Sequence, residues 1–78
     1  MKKNKFIYPI PYTTVNARLQ HWNTKNIIEA DLYYDKNETD LDWRTVDDKS
    51  EVSYDWDVIE WKYPNDTEWT IHRVEVDE

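Results

Sequence analysis

Glycine is absent from all 78 residues, and so is cysteine. Without glycine, the chain cannot build phosphate-cradling loops of the Walker or dinucleotide-binding type, where the backbone must approach the ligand closely. Turns that need positive φ are expected to use Asn or Asp, both of which are plentiful. Without cysteine there is neither a disulfide staple nor thiolate chemistry. Aliphatic side chains are scarce: six Ile, six Val, three Leu and one Met. No apolar stretch is long enough to span a bilayer. Met1-Lys2-Lys3-Asn4-Lys5 opens like a signal peptide, but the apolar residues stop after Phe6-Ile7-Tyr8. The expectation is a soluble, cytoplasmic protein.

Acids are missing from one part of the chain. Residues 1–28 carry Lys2, Lys3, Lys5, Arg18 and Lys25 and no Asp or Glu, whereas residues 29–78 hold all 17 acids against five bases. The net charge of −7 therefore divides into a +5 segment and a −12 segment. Both are too rich in aromatics to read as disordered tails. Length points to a single domain spanning 1–78, made of a basic strand/helix segment and an acidic antiparallel sheet. A domain this small buries a modest fraction of its surface, so five Trp and six Tyr must supplement the thin aliphatic core.

Periodicity predicts an α+β, mainly β fold: a twisted antiparallel sheet of four to five strands with one short helix. Residues 5–10 alternate weakly and suit a first strand. Thr13 or Thr14 can cap a helix over residues 14–22, because Val15, Leu19 and Trp22 have the spacing of one helical face. From Ile28 to Tyr34 the period becomes two. Setting Leu32 opposite Trp43 and Asp31 opposite Arg44 keeps the apolar face continuous and adds a charge pair worth ~0.2–1 kcal/mol. Val52, Tyr54 and Trp56 alternate, then the phase shifts to Ile59, Trp61 and Tyr63, so a bulge is expected near Asp57-Val58. Pro64-Asn65-Asp66 suits a three-residue hairpin loop with Asp66 left-handed. That loop sets Trp61 against Trp69, Ile59 against Ile71, Lys62 against Glu68 and Asp57 against Arg73.

The chain has little that could carry catalysis. Ser50 and Ser53 lie in or beside a turn, and His21 and His72 are far apart in sequence, so no triad is indicated. His72 reads as a surface residue, and His21 as a partial cap near a helix end. Asp55 and Asp57 flank Trp56, an arrangement a glycoside hydrolase could use, but a small sheet is not expected to form the cleft such an enzyme needs. Asp35-Lys36-Asn37-Glu38-Thr39-Asp40 starts like an EF-hand, yet Asp40 stands where Gly is required and Val46 where Glu is required. Asn37-Glu38-Thr39 and Asn65-Asp66-Thr67 read as turn chemistry, not glycosylation sites. No enzyme activity, cofactor or metal is expected.

A binding surface is better supported. Carboxylates recur two residues apart in Glu29/Asp31, Asp40/Asp42 and Asp55/Asp57. On a strand such pairs project from one face about 6.5–7 Å apart, near the phosphate spacing of a nucleic-acid strand. Trp22, Trp43, Trp61 and Trp69 fall on expected buried faces, whereas Trp56 stands where the phase breaks, between two acids. An exposed aromatic among carboxylates suits a protein-binding hot spot. Glu29, Asp31, Asp40, Asp42, Asp55, Trp56, Asp57 and Glu60 are the expected partner-binding residues.

In length, charge, lack of cysteine and Lys/Asn/Asp/Tyr-rich usage, the chain resembles the small acidic inhibitors that bacteriophages encode against host nucleases, restriction systems and CRISPR effectors. The resemblance implies a nucleic-acid mimic or steric blocker. Its partner would be the basic surface of a bacterial nucleic-acid-binding protein, met in the host cytoplasm. Two alternatives stand beside it. One is a self-associating module, such as a homodimer. The other is a ligand or nucleic-acid binder using the basic N-terminal segment and exposed aromatics, which requires Lys2, Lys3, Lys5 and Arg18 to gather on one face.

Overall fold

The computed structural model describes residues 2–37 and 42–77. They form seven strands: β1 (Lys2–Phe6), β2 (Val15–His21), β3 (Ile27–Tyr34), β4 (Trp43–Thr45), β5 (Trp56–Lys62), β6 (Thr70–Ile71) and β7 (Arg73–Asp77). All pairings are antiparallel. One sheet has five strands in the order β4-β3-β2-β5-β6, and β1 pairs with β7 in a separate two-stranded ribbon.

No helix forms among the described residues, so the expectation of one over 14–22 is corrected. The segment Val15-Asn16-Ala17-Arg18-Leu19-Gln20-His21 alternates strictly, with Val15, Ala17 and Leu19 buried and their neighbours half-buried. The helical reading used Val15, Leu19 and Trp22 and left out Ala17. A central strand bonded on both sides, to β3 and β5, buries all three odd positions at once. Tertiary pairing outweighs the weak local helical signal.

The bulge is present, at Ile59. Arg18 lies opposite Glu60 but Leu19 lies opposite Val58, so Ile59 is the extra residue on β5. Its insertion lets Val58 and Trp61 face the same core although they are three residues apart.

Two expected registers are corrected. β4 pairs two residues away from the expected setting: Trp43 lies opposite Tyr34, and Thr45 opposite Leu32. A shift of two preserves the faces, and Trp43 stays buried. Arg44 lies opposite Tyr33, and it forms ion pairs with Asp35 at 3.0 Å and Glu51 at 3.4 Å in place of the expected Asp31. The β5–β6 pairing is shifted by one, with Trp61 opposite Thr70 and Glu60 opposite Ile71. That shift turns Ile71 to the other face, where it is 59% exposed. The reason lies in the connection. Tyr63 to Asp66 forms a turn closed by Asp66 N–H donating to Tyr63 O at 2.9 Å, but β6 begins only at Thr70. The loop is longer than the expected three residues, and Asp66 is not left-handed; Tyr12, Lys25 and Lys49 hold the positive φ values instead.

The core is Val15, Ala17, Leu19, Leu32, Trp43, Val58 and Trp61, with Tyr8, Tyr34, Val52, Trp56 and Tyr63 packed around it. The segment after β1 covers it. Tyr8 stacks on Tyr34 at 4.2 Å, and Trp61 Nε1 donates to Ile7 O at 2.9 Å. Residues 52–54, expected to be in a strand, form the approach to β5, with Tyr54 in a turn. No helix among the described residues is long and apolar enough to cross a membrane.

Candidate functional site

The face of the five-stranded sheet away from the core is set by the polar positions of β2: Asn16, Arg18 and Gln20. Ladder partners share a face, so Asp31, Glu29 and Ile27 on β3 stand beside them on one side. Lys62, Glu60 and Asp57 on β5 stand on the other. Without the Ile59 bulge, Asp57 and Glu60, three residues apart, would point to opposite faces. Four of the eight expected site residues, Glu29, Asp31, Asp57 and Glu60, are thereby brought onto one surface in two rows flanking β2.

Arg18 organises this surface. Its Nη1 lies 2.7 Å from Glu60 Oε1 and its Nε 3.1 Å from Glu29 Oε1. Its guanidinium carbon also sits 4.0 Å from the centre of the Trp69 ring. Glu60, then Glu29, raise the Arg18 pKa still further, so its charge is permanent. Lys62 Nζ approaches Trp69 from 5.6 Å. Asp31 accepts a hydrogen bond from Asn16 Nδ2 at 2.8 Å. Neither Asp31 nor Asp57 has a cation at bridging distance among the described residues. The surface therefore combines four carboxylates with two cations, and bonds from Arg18 and Asn16 orient Glu29, Glu60 and Asp31.

The other expected site residues lie elsewhere. Asp42 is half-buried on the core side, where Tyr8 donates its hydroxyl to Oδ2 at 2.5 Å. Burial, and then this bond, raise the Tyr8 pKa. Asp55 sits in the turn before β5 and accepts from Trp22 Nε1 at 3.0 Å. Trp56 is half-buried against the core, its ring edge-on to His21 at 5.0 Å. It is not the exposed tryptophan expected. Trp22 is, at 57% exposure, and Trp69 lies on the outer face. Asp40 falls outside the described residues.

Arg18 and Trp69 were missed as site residues. Arg18 could have been found by testing the Val15–His21 alternation for a strand. Trp69 had no local signal, because its face depends on the length of the preceding loop.

The histidines and serines are engaged structurally. His21 Nδ1 accepts from the N–H groups of Asn23 and Thr24 at 3.2 and 3.3 Å, so it caps a turn and not a helix. His72, expected at the surface, is 6% exposed and hydrogen-bonds Ile7 O through Nδ1 at 3.0 Å. Burial lowers its pKa. Ser50 donates to Asp48 at 2.6 Å, and bonds from Ser50 and Thr45 hold the Asp48 pKa down to about 2. Among the described residues no cluster of three His, Asp or Glu could hold a metal. No protein-family model matches the chain, and no curated protein or solved structure is significantly similar to it.

Proposed function

We propose that the protein is a non-catalytic binding protein of the phage-inhibitor type, whose outer sheet face occupies the basic surface of a bacterial nucleic-acid-binding protein. The observation that carries this reading is the arrangement of Glu29, Asp31, Asp57 and Glu60 in two rows on one face. Adjacent strands lie about 4.8 Å apart, so rows on β3 and β5 are separated by roughly 10 Å. Arg18 offsets part of the charge but also fixes the geometry, which lowers the entropy lost on binding. A Lys/Arg-lined groove would find carboxylates where it ordinarily meets phosphates.

The rival use of the basic segment as a nucleic-acid site has less support. Lys2 alternates in face with Lys3 and Lys5 on the ribbon, and Arg18 is held by two glutamates on the other sheet. Self-association draws support from the exposure of Trp22, Ile27 and Ile28 at one end of the molecule.

Affinity capture from a bacterial lysate tests the proposal, with an E29Q/D31N variant as control. The expected result is a nucleic-acid enzyme recovered by wild type only, released as salt rises and inhibited competitively with its DNA or RNA. A homodimer that holds in high salt, with no such partner, would sink the idea.

A further inference from the structure

β5 lacks a complete neighbour on the side away from β2. β6 pairs only with Glu60 and Trp61, and His72 N–H adds one bond to Ile59 O at 3.0 Å. Among the described residues no strand lies against Trp56–Val58 on that side. The ladder shows where their main-chain groups point. Trp22 N–H donates to Asp55 O at 3.0 Å, which makes these two a bonded pair. Alternation then makes His21/Trp56 and Leu19/Val58 non-bonded pairs, so Val58 N–H and C=O and Trp56 C=O turn away from β2. Trp56 N–H is taken by Ser53 O at 3.1 Å.

An open groove of about 480 Å³ runs along this edge, between residues 52–54 and the start of the ribbon. Phe6, Tyr54, Trp56 and Val58 supply apolar wall, and Asp57 and Arg73 supply charge. Tyr54 and Phe6 are well exposed at 69% and 49%. An unpaired edge is a template for another chain, and natural proteins usually cover or charge one. Here the edge is left uncovered and lies in a walled groove.

We propose that this groove receives an extended segment of a partner protein, about three or four residues long, added as a strand to the free edge of β5. The side-chain pattern follows from the faces of β5. Asp57 points to the outer face, so the residue beside it on the added strand is Lys or Arg. Trp56 and Val58 point to the core side, so the residues beside them are apolar. The recognised pattern is apolar–basic–apolar, in keeping with the −7 charge of the chain. This site shares Asp57 with the outer face, but it is carried by the free edge of β5 and does not rest on the outer-face reading.

The probe is a fluorescein-labelled hexapeptide of alternating valine and lysine, followed by anisotropy and by amide chemical shifts. Saturable binding is expected, with shifts concentrated at Ser53 and Trp56–Val58. Two further peptides are N-methylated on alternate residues, one for each edge of the strand. One of them should bind at least about tenfold more weakly, because it loses edge hydrogen bonds, while the other keeps its affinity. D57N should weaken binding severalfold, whereas E29Q/D31N should leave it unchanged and so keep this test separate from that of the outer face. The proposal is overturned by no saturable binding, by equal binding of both N-methylated peptides, or by equal binding of a valine–glutamate peptide. A stable dimer whose Trp56–Val58 amides resist the peptide would assign the edge to a second copy and overturn it too.

Discussion

Lys25 and Lys49 hold φ values of 65° and 59°, in the left-handed region that L-residues avoid. Each closes a turn by donating its N–H to the carbonyl four residues back, His21 and Thr45, at 3.0 Å. A non-glycine residue in this region costs about 1–2 kcal/mol, and the Asn and Asp expected at such turns do not occupy these positions. Replacement by glycine relieves that strain but increases unfolded-chain entropy by roughly 0.5–1 kcal/mol. K25G should therefore stabilise the protein by up to ~1 kcal/mol, read as a higher urea midpoint at an unchanged m-value. A lower midpoint would show that the lysine stem contributes more than the strain costs. The absence of glycine was legible as a constraint on turns. Which residues would bear it was not, because Lys25 and Lys49 are left-handed only where the ladders place the turn ends.

At the scale of strands, the hydrophobic pattern was a good guide to faces and a poor one to pairing. The phase break after Trp56 did signal a bulge, since buried Val58 and Trp61 cannot otherwise share a face. The β3–β4 shift left the buried set intact because it was by two residues. The β5–β6 shift was by one, and it moved Trp69 and Ile71 from core to outer face. Trp61 and Trp69 consequently carry different weights. W61A should cost about 3–5 kcal/mol, as expected for emptying a buried site. W69A should cost about 1–2 kcal/mol, from partial burial and the lost stacking of Arg18. Equal losses in chemical denaturation would favour the other register, in which the two rings face each other in the core.

Taken whole, the molecule is a five-stranded sheet joined to a two-stranded ribbon, and His72 sits at the joint. Its N–H bonds Ile59 O, its carbonyl accepts from Ile7 N–H at 2.8 Å, and its ring bonds Ile7 O. The ring packs among Phe6, Tyr8 and Trp43. Two charges act on it in opposite senses, Asp42 favouring protonation and Arg73 opposing it, but burial dominates and lowers the pKa. With the folded pKa below the unfolded value of about 6.5, the unfolded chain binds a proton more readily. Stability is then complete above the unfolded pKa and falls as pH drops towards the folded one. Urea midpoints measured between pH 7.5 and pH 5 should decline for wild type and stay flatter for H72Q. Parallel slopes would show that another group governs this window.

Composition alone bounded the chemistry of this chain. No glycine and no cysteine remove whole classes of site, and the sorting of acids into residues 29–78 shows which part of the chain carries the negative charge. Alternation likewise indicated antiparallel β-structure over most of the chain, because side-chain direction on a strand is a local property. Tertiary structure decided the rest. Val15–His21 became a strand because two neighbours bonded it, and Arg18 met Glu29 and Glu60 because β2 took the centre of the sheet. Four of the acids share a face only because Ile59 bulges out of register. Each outcome depends on contacts between residues distant in sequence, and local periodicity carries no information about which strands become neighbours.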